Sequence, residues 1–118
     1  MENLTNKEEE IMQAIWQLEK VFVKEIVAAL PSAHHYNTIS TIVRSLEKKN
    51  YVAYNAFGKT HQYFPIISKE KYAQKFFKLA SQRYFNNSYK NMVSFFAKEE
   101  KISANELREI IQFIEKNK

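Results

Sequence analysis

Cysteine is absent from the 118-residue chain. That removes disulfides, thiolate metal sites and cysteine nucleophiles, and it fits a reducing cytoplasm. Glycine occurs once, at Gly58, so glycine-rich phosphate loops of the dinucleotide or P-loop kind are excluded. Aspartate is missing too: all 13 acids are glutamates. Magnesium and calcium sites lean on short Asp carboxylates, so a hard-metal enzyme is disfavoured. No run of 18 apolar residues is present, so no membrane insertion is expected. Met1-Glu2-Asn3 is acidic and polar, unlike a signal peptide. The expectation is a cytoplasmic protein that is not an enzyme and has no cofactor and no metal.

Apolar residues make up 45% of the chain, enough for a real core, and the length suits one domain or a small domain with an appendage. The net charge of +5 is unevenly spread: −3 over residues 1–30, +3 over 31–68, +6 over 69–98 and −1 over 99–118. A basic middle suits a polyanionic partner, although a lysine-rich solvated surface has the same composition.

Thr5-x-x-Glu8 is a capping-box pattern, and Ile11, Ala14, Ile15 and Leu18 follow at helical spacing. After the short β-type run Val21-Phe22-Val23, residues Ile26, Val27 and Leu30 mark a second helix, stopped by Pro31. A polar loop from Ser32 to Tyr36 leads to a third helix, from about Asn37 to Lys49, with Ile39, Ile42, Val43 and Leu46 inward. Asn50 then sits where a left-handed residue is expected. Tyr51 to Phe57 reads as a strand, Gly58-Lys59 as a turn, and Thr60 to Phe64 as the returning strand ended by Pro65.

From Ser68 onward the pattern is helical. Tyr72, Phe76 and Leu79 lie on one stripe, Tyr89, Met92, Val93 and Phe96 on the next helix after Asn86-Asn87-Ser88. The box Ser103-x-x-Glu106 opens a last helix carrying Leu107, Ile110, Ile111 and Ile114. The last 50 residues hold nine of the chain's 17 aromatics, more apolar surface than three short helices bury alone. A second chain is the expected cover, with Tyr72, Phe76, Leu79, Phe96, Leu107, Ile110, Ile111 and Ile114 as dimerisation residues. The fold class is therefore mostly α (α+β). A winged helix-turn-helix domain with a two-stranded wing, residues 1–67, is followed by a three-helix dimerisation segment, residues 68–118.

The third helix carries the functional signal. Its outward face is Asn37, Thr41, Arg44 and Lys48, with Ser40 and Ser45 beside them. A face that meets only water is usually rich in Glu, Lys, Gln and Ala, which favour helix. Short hydroxyl side chains instead let a helix come close to a surface and bond phosphates or base edges, and Arg44 has the fork that reads guanine or grips a phosphate. Lys59 at the turn and the hydroxyl of Tyr36 are further candidates for phosphate contact. The bland alternatives are a neutral solvated helix with a Ser/Thr bias and a solubilising turn lysine.

Three stretches together resemble the penicillinase-repressor (BlaI/MecI/CopY) family of winged-helix regulators. They are Leu4-Thr5-x-x-Glu8-x-x-Ile11-Met12-x-x-Ile15-Trp16, Asn37-Thr38-Ile39-Ser40-Thr41-Ile42-Val43-Arg44-x-Leu46-x-Lys48-Lys49-x-Tyr51-Val52, and Gly58-Lys59-x-His61-x-Tyr63-x-Pro65. The resemblance is specific from Leu4 to Pro65 and looser beyond Ser68. It implies a dimeric bacterial repressor on a dyad operator, with DNA contacts at Tyr36, Thr38, Thr41, Arg44 and Lys59. The family usually has Gly at the position of Asn50 and an aromatic at that of His61, whose ring is expected to pack. Copper-sensing members carry C-terminal cysteines, absent here. Members cut under control of a membrane sensor-protease break an Asn-Phe bond, whose nearest match is Phe95-Phe96.

The DNA-binding candidates are thus Tyr36, Asn37, Thr38, Ser40, Thr41, Arg44, Lys48 and Lys59, the partners double-stranded DNA and a second copy, and the function transcriptional repression. The alternative is a winged-helix protein-interaction module without sequence-specific DNA binding, which the neutral net charge of residues 1–68 favours. A metal or hydrolytic site at His34, His35 and His61 lacks joining Cys or Asp residues and a nucleophile elbow.

Overall fold

The computed structural model describes residues 1–30 and 35–116. In chain order it has α1 (Asn6–Leu18), α2 (Val23–Ala29), α3 (Tyr36–Lys48), β1 (Val52–Phe57), β2 (Thr60–Pro65), α4 (Lys69–Tyr84), α5 (Tyr89–Lys98) and α6 (Ala104–Lys116). The chain divides into two compact units, Met1–Tyr72 and Ala73–Lys118. Pro31, expected to stop the second helix, and Ser32 to His34 of the polar loop lie outside the described residues.

In the first unit, Thr5 and Glu8 form a complete capping box. The Thr5 hydroxyl accepts the Glu8 N–H at 3.1 Å, and the Glu8 carboxylate accepts the Thr5 N–H at 2.8 Å. Ile11, Met12, Ala14 and Ile15 turn inward from α1. Leu18, anticipated on that face, is exposed. At the end of α1, Glu19 takes φ 68 and ψ −63, and the Lys20 N–H bonds back to the Leu18 carbonyl at 2.8 Å. This tight turn delivers Val21 to β2, where it exchanges two backbone bonds with Tyr63, at 2.9 and 2.7 Å. Only Val21 of the expected β-type run pairs. The Glu25 carboxylate accepts the Phe22 N–H at 2.8 Å and starts α2 at once.

Helix α3 begins at Tyr36, one residue before the expected start, and buries Ile39, Val43 and Leu46. It ends as a Schellman motif. Asn50 has φ 64, its N–H bonds the Glu47 carbonyl at 3.0 Å, and the Tyr51 N–H bonds the Leu46 carbonyl at 3.0 Å. That motif turns Tyr51 inward, so Tyr51 is fully buried core and the strand begins at Val52. The Tyr51 hydroxyl donates to the Glu2 carbonyl. Strands β1 and β2 pair antiparallel from Val52↔Pro65 to Phe57↔Thr60. Gly58, at φ +61, takes the first position of the two-residue turn, where a side chain would be strained. Each fully buried aliphatic or aromatic side chain in this core contributes about 1.5–3 kcal/mol.

A polar cluster joins α1 to the end of α3. Glu8 is 4% exposed. Its carboxylate accepts Lys49 Nζ at 2.7 Å and Ser45 Oγ at 2.7 Å, beside the Thr5 N–H. Lys49 also donates to the Asn3 carbonyl at 3.1 Å. Burial by itself pushes the Glu8 carboxyl up, but the bonds from Lys49, Thr5 and Ser45 overcome it and hold it at about 2, against an ordinary 4.5. Glu9 accepts the Tyr72 hydroxyl at 3.1 Å, and Trp16 donates to the Ile67 carbonyl at 2.9 Å. The Tyr72 ring packs against Trp16 and Tyr51, at 5.5 and 6.0 Å. Tyr72, anticipated on a dimer surface, therefore lies against the core of the first unit.

In the second unit, Ser88 caps α5 by accepting the Asn91 N–H at 3.0 Å, after Asn86 and Asn87 in left-handed geometry. Ser103 and Glu106 form the second capping box, at 2.9 and 3.1 Å. Met92 and Ser81 are buried, whereas α6 buries none of its residues.

The depressed Glu8 carboxyl contributes stability above its ordinary titration, and that stability is lost as pH falls through about 4.5 towards 2. Acid unfolding followed by circular dichroism should show this loss, and Glu8→Ala should flatten it while costing about 3–5 kcal/mol at neutral pH. Asn50→Gly, which removes the Cβ from a left-handed position, should raise stability by up to about 1 kcal/mol in thermal melts.

Candidate nucleic-acid interface

The amphipathic split of α3 decides what the first unit shows to its surroundings. Ile39, Val43 and Leu46 anchor one side, which leaves Asn37, Thr38, Thr41, Arg44 and Lys48 exposed and Ser40 half-buried on the other. Tyr36 is 53% exposed at the start of the helix. Two internal bonds shape this face. The Thr41 hydroxyl donates to the Asn37 carbonyl at 2.9 Å, and the Arg44 guanidinium donates to Ser40 Oγ at 3.1 Å. The second bond restricts the Arg44 fork before any ligand arrives, which lowers the ordering cost of a bidentate contact.

Ser45 does not belong to this face. Its hydroxyl is spent on Glu8, so it joins the polar cluster between α1 and α3. Lys49 is committed there as well. The sequence pattern alone could not separate Ser40 from Ser45, because both flank the Arg44 stripe.

The wing rises beside α3 and leaves a cleft of about 460 Å³. From α3 it is lined by Tyr36, Ser40 and Arg44; from the start of α2 by Phe22, Val23 and Lys24; and from the wing by Lys59, Thr60, His61 and Tyr63. The structure thus brings four of the anticipated residues, Tyr36, Ser40, Arg44 and Lys59, around one space, while Asn37, Thr38, Thr41 and Lys48 lie outside that lining. Among the described residues, no carboxylate lines the cleft. Burial pushes the Tyr63 phenol up, helped by Glu47 and opposed by Arg44, so the ring stays neutral.

Lys24 and His61 were not among the anticipated contacts. A signal for His61 was present: His61 and Tyr63 alternate along β2 and so share a face. Lys24 gave none, since only the packing of α2 brings it to the wing. His61 does pack, with its ring stacked on Tyr54 at 3.9 Å and 7° between planes. His35 precedes α3 and is exposed; His34 lies outside the described residues.

The anticipated dimerisation residues other than Tyr72 fall in the second unit. Phe76, Leu79, Ile110, Ile111 and Ile114 are exposed, between 36% and 62%, and Phe96 and Leu107 are half-buried.

Three helices, the third with an exposed polar face beside a two-stranded hairpin, make a winged helix-turn-helix fold. The family model described as penicillinase repressor matches residues 4–116. A penicillinase repressor of Bacillus licheniformis is 25% identical over 117 residues, covering 98% of this chain and 91% of that protein. The chain belongs to the penicillinase repressor family of DNA-binding transcriptional repressors. Among the described residues, no helix is long and apolar enough to cross a membrane.

Ser45→Ala should lower stability by about 1–2 kcal/mol in denaturant titration, because it strips one donor from a buried carboxylate. The same variant should leave duplex-DNA affinity within twofold of wild type, since Ser45 faces α1.

Proposed function

We propose that the protein represses transcription by occupying a two-fold symmetric operator as a homodimer. Helix α3 enters the major groove, and the wing follows the flanking backbone. The observation that carries this is the exposed face of α3, where Asn37, Thr38, Thr41, Arg44 and Lys48 present short polar or cationic side chains with no acid among them. Arg44, held by Ser40, is the base reader, and its planar fork matches O6 and N7 of guanine. Tyr36, Lys48 and Lys59 contact phosphates. Displaced counterions give a salt-sensitive background affinity on which base contacts add discrimination.

In this reading residues 1–67 bind DNA and residues 68–118 assemble the dimer. The apolar side chains that one chain leaves exposed on α4 and α6, Phe76, Leu79, Ile110, Ile111 and Ile114, are what a second copy would cover. A two-fold dimer sets its recognition helices about 34 Å apart, one turn of DNA, so the half-sites should repeat at that spacing.

Selection of bound fragments from a random duplex pool at physiological salt tests the proposal. Enrichment of an inverted repeat supports it; recovery of nothing above salt-sensitive background overturns it in favour of a protein partner. On the selected site, Arg44→Ala should weaken binding by about 1–3 kcal/mol and relax the preference at one base pair per half-site. Unchanged affinity would remove Arg44 from the reading.

A further inference from the structure

The net positive charge of the chain lies outside the winged helix. Residues 1–68 carry seven basic and seven acidic side chains, whereas residues 69–98 carry seven basic side chains against Glu70 alone. Of the cations in the first stretch, Lys49 is spent on Glu8. Attraction of a polyanion from a distance follows net charge, so a neutral winged helix supplies little of it. Helix α4 concentrates the excess. Lys71, Lys75, Lys78 and Gln82 fall at i, i+4, i+7 and i+11 and share one face. Lys71, Lys78 and Gln82 are exposed, and Lys75 is half-buried. Glu70, the only acid of α4, precedes Lys71 by one residue and so points away from that stripe. A face that only meets water intersperses charges of both signs, and Glu-Lys pairs four residues apart support the helix. Lysines at that spacing oppose helix formation instead, until an anion lies along them.

We infer that the lysine stripe of α4 is a second contact surface for the DNA backbone, separate from the winged helix. It supplies sequence-independent, salt-dependent affinity, while α3 supplies discrimination between sequences. The inference rests on the DNA-binding reading above and goes beyond it by dividing affinity and specificity between two parts of the chain. The other sides of α4 are already engaged or apolar. Ser81 is buried, Tyr72 packs on Trp16 and Tyr51, and Phe76 and Leu79 form the apolar stripe that a second copy would cover. With that stripe covered, the lysine face presents charge without an apolar anchor. This suits a duplex, whose backbone offers a row of phosphates and releases a counterion for each one neutralised. A lipid surface would instead take the apolar stripe together with the lysines.

The test uses the full chain with two duplexes, the selected operator and a random-sequence duplex, each titrated over a series of salt concentrations. Joint replacement Lys71→Gln and Lys78→Gln, which keeps good helix formers, should lower the slope of log affinity against log salt by about one for each lysine removed. Affinity should fall by the same factor on both duplexes, so that their ratio stays at the wild-type value. Lys71→Arg with Lys78→Arg keeps both cations and should keep the wild-type slope. Lys101→Gln with Lys116→Gln removes the same charge from exposed positions outside α4 and should keep it as well. An unchanged slope in the first variant overturns the inference and leaves the winged helix as the whole interface. An equal loss in the Lys101 and Lys116 variant overturns it too, because net charge alone would then be the cause. So does a loss confined to the operator. Wild-type DNA binding in the first variant, with lost affinity for vesicles of anionic phospholipid, would assign the stripe to a membrane surface and overturn the assignment to DNA. Absence of duplex binding by wild type overturns both this inference and the DNA-binding reading.

Discussion

The orientation of α3 against α1 depends on one buried carboxylate. Glu8 closes the cap of α1 through the Thr5 N–H and receives Lys49 and Ser45 from the far end of α3. Taking an ion pair out of water is costly, and the attraction repays that cost only when every lone pair is engaged. Here the carboxylate has three donors. Such a pair adds little net stability over an apolar substitute, but it tolerates no slip: sliding α3 by one turn along α1 would leave a buried charge unpaired. Apolar packing of Ile39, Val43 and Leu46 holds the two helices together; the Glu8 cluster decides in which register.

That register decides which side chains α3 shows to its surroundings. With Ser45 and Lys49 drawn inward, the stripe from Tyr36 through Ser40 to Arg44 faces the wing, and the stripe through Asn37, Thr41 and Lys48 faces outward. The wing is placed by an independent device, the backbone pair between Val21 and Tyr63. Because Val21 lies two residues before the first residue of α2, the same pair sets the start of α2 against β2 and carries Lys24 to the cleft. A polar cluster on one side and a single bridge on the other thus converge on the space between α3 and the hairpin.

Much of the fold was legible from local chemistry. The boxes at Thr5 and Ser103, the left-handed Asn50 and the Gly58 turn are signals read within four residues, and each appears where the pattern put it. The inward faces of α1 and α3 follow from periodicity, except Leu18, the last residue of α1, which is exposed. Tyr51 read as a strand residue because it is aromatic and next to Val52, but the Schellman motif turns it into the core. Within the candidate interface, composition identified the α3 face and the turn lysine. It could not sort Ser40 from Ser45, or Lys48 from Lys49, because neighbours in sequence differ here only in which partner lies across from them.

By itself, then, the sequence determined the order of helices and hairpin, the caps that bound them, and the polar face of α3, since these depend on interactions three or four residues apart. Only the tertiary structure decided that Glu8 and Lys49 form a pair, that Tyr72 closes the core against Trp16 and Tyr51, and that Lys24 and His61 share a cleft with Arg44. Those contacts join residues more than thirty positions apart in sequence, or elements whose approach no local propensity encodes. They exist because burying the apolar faces of α1, α2 and α3 brings the polar edges of those elements together.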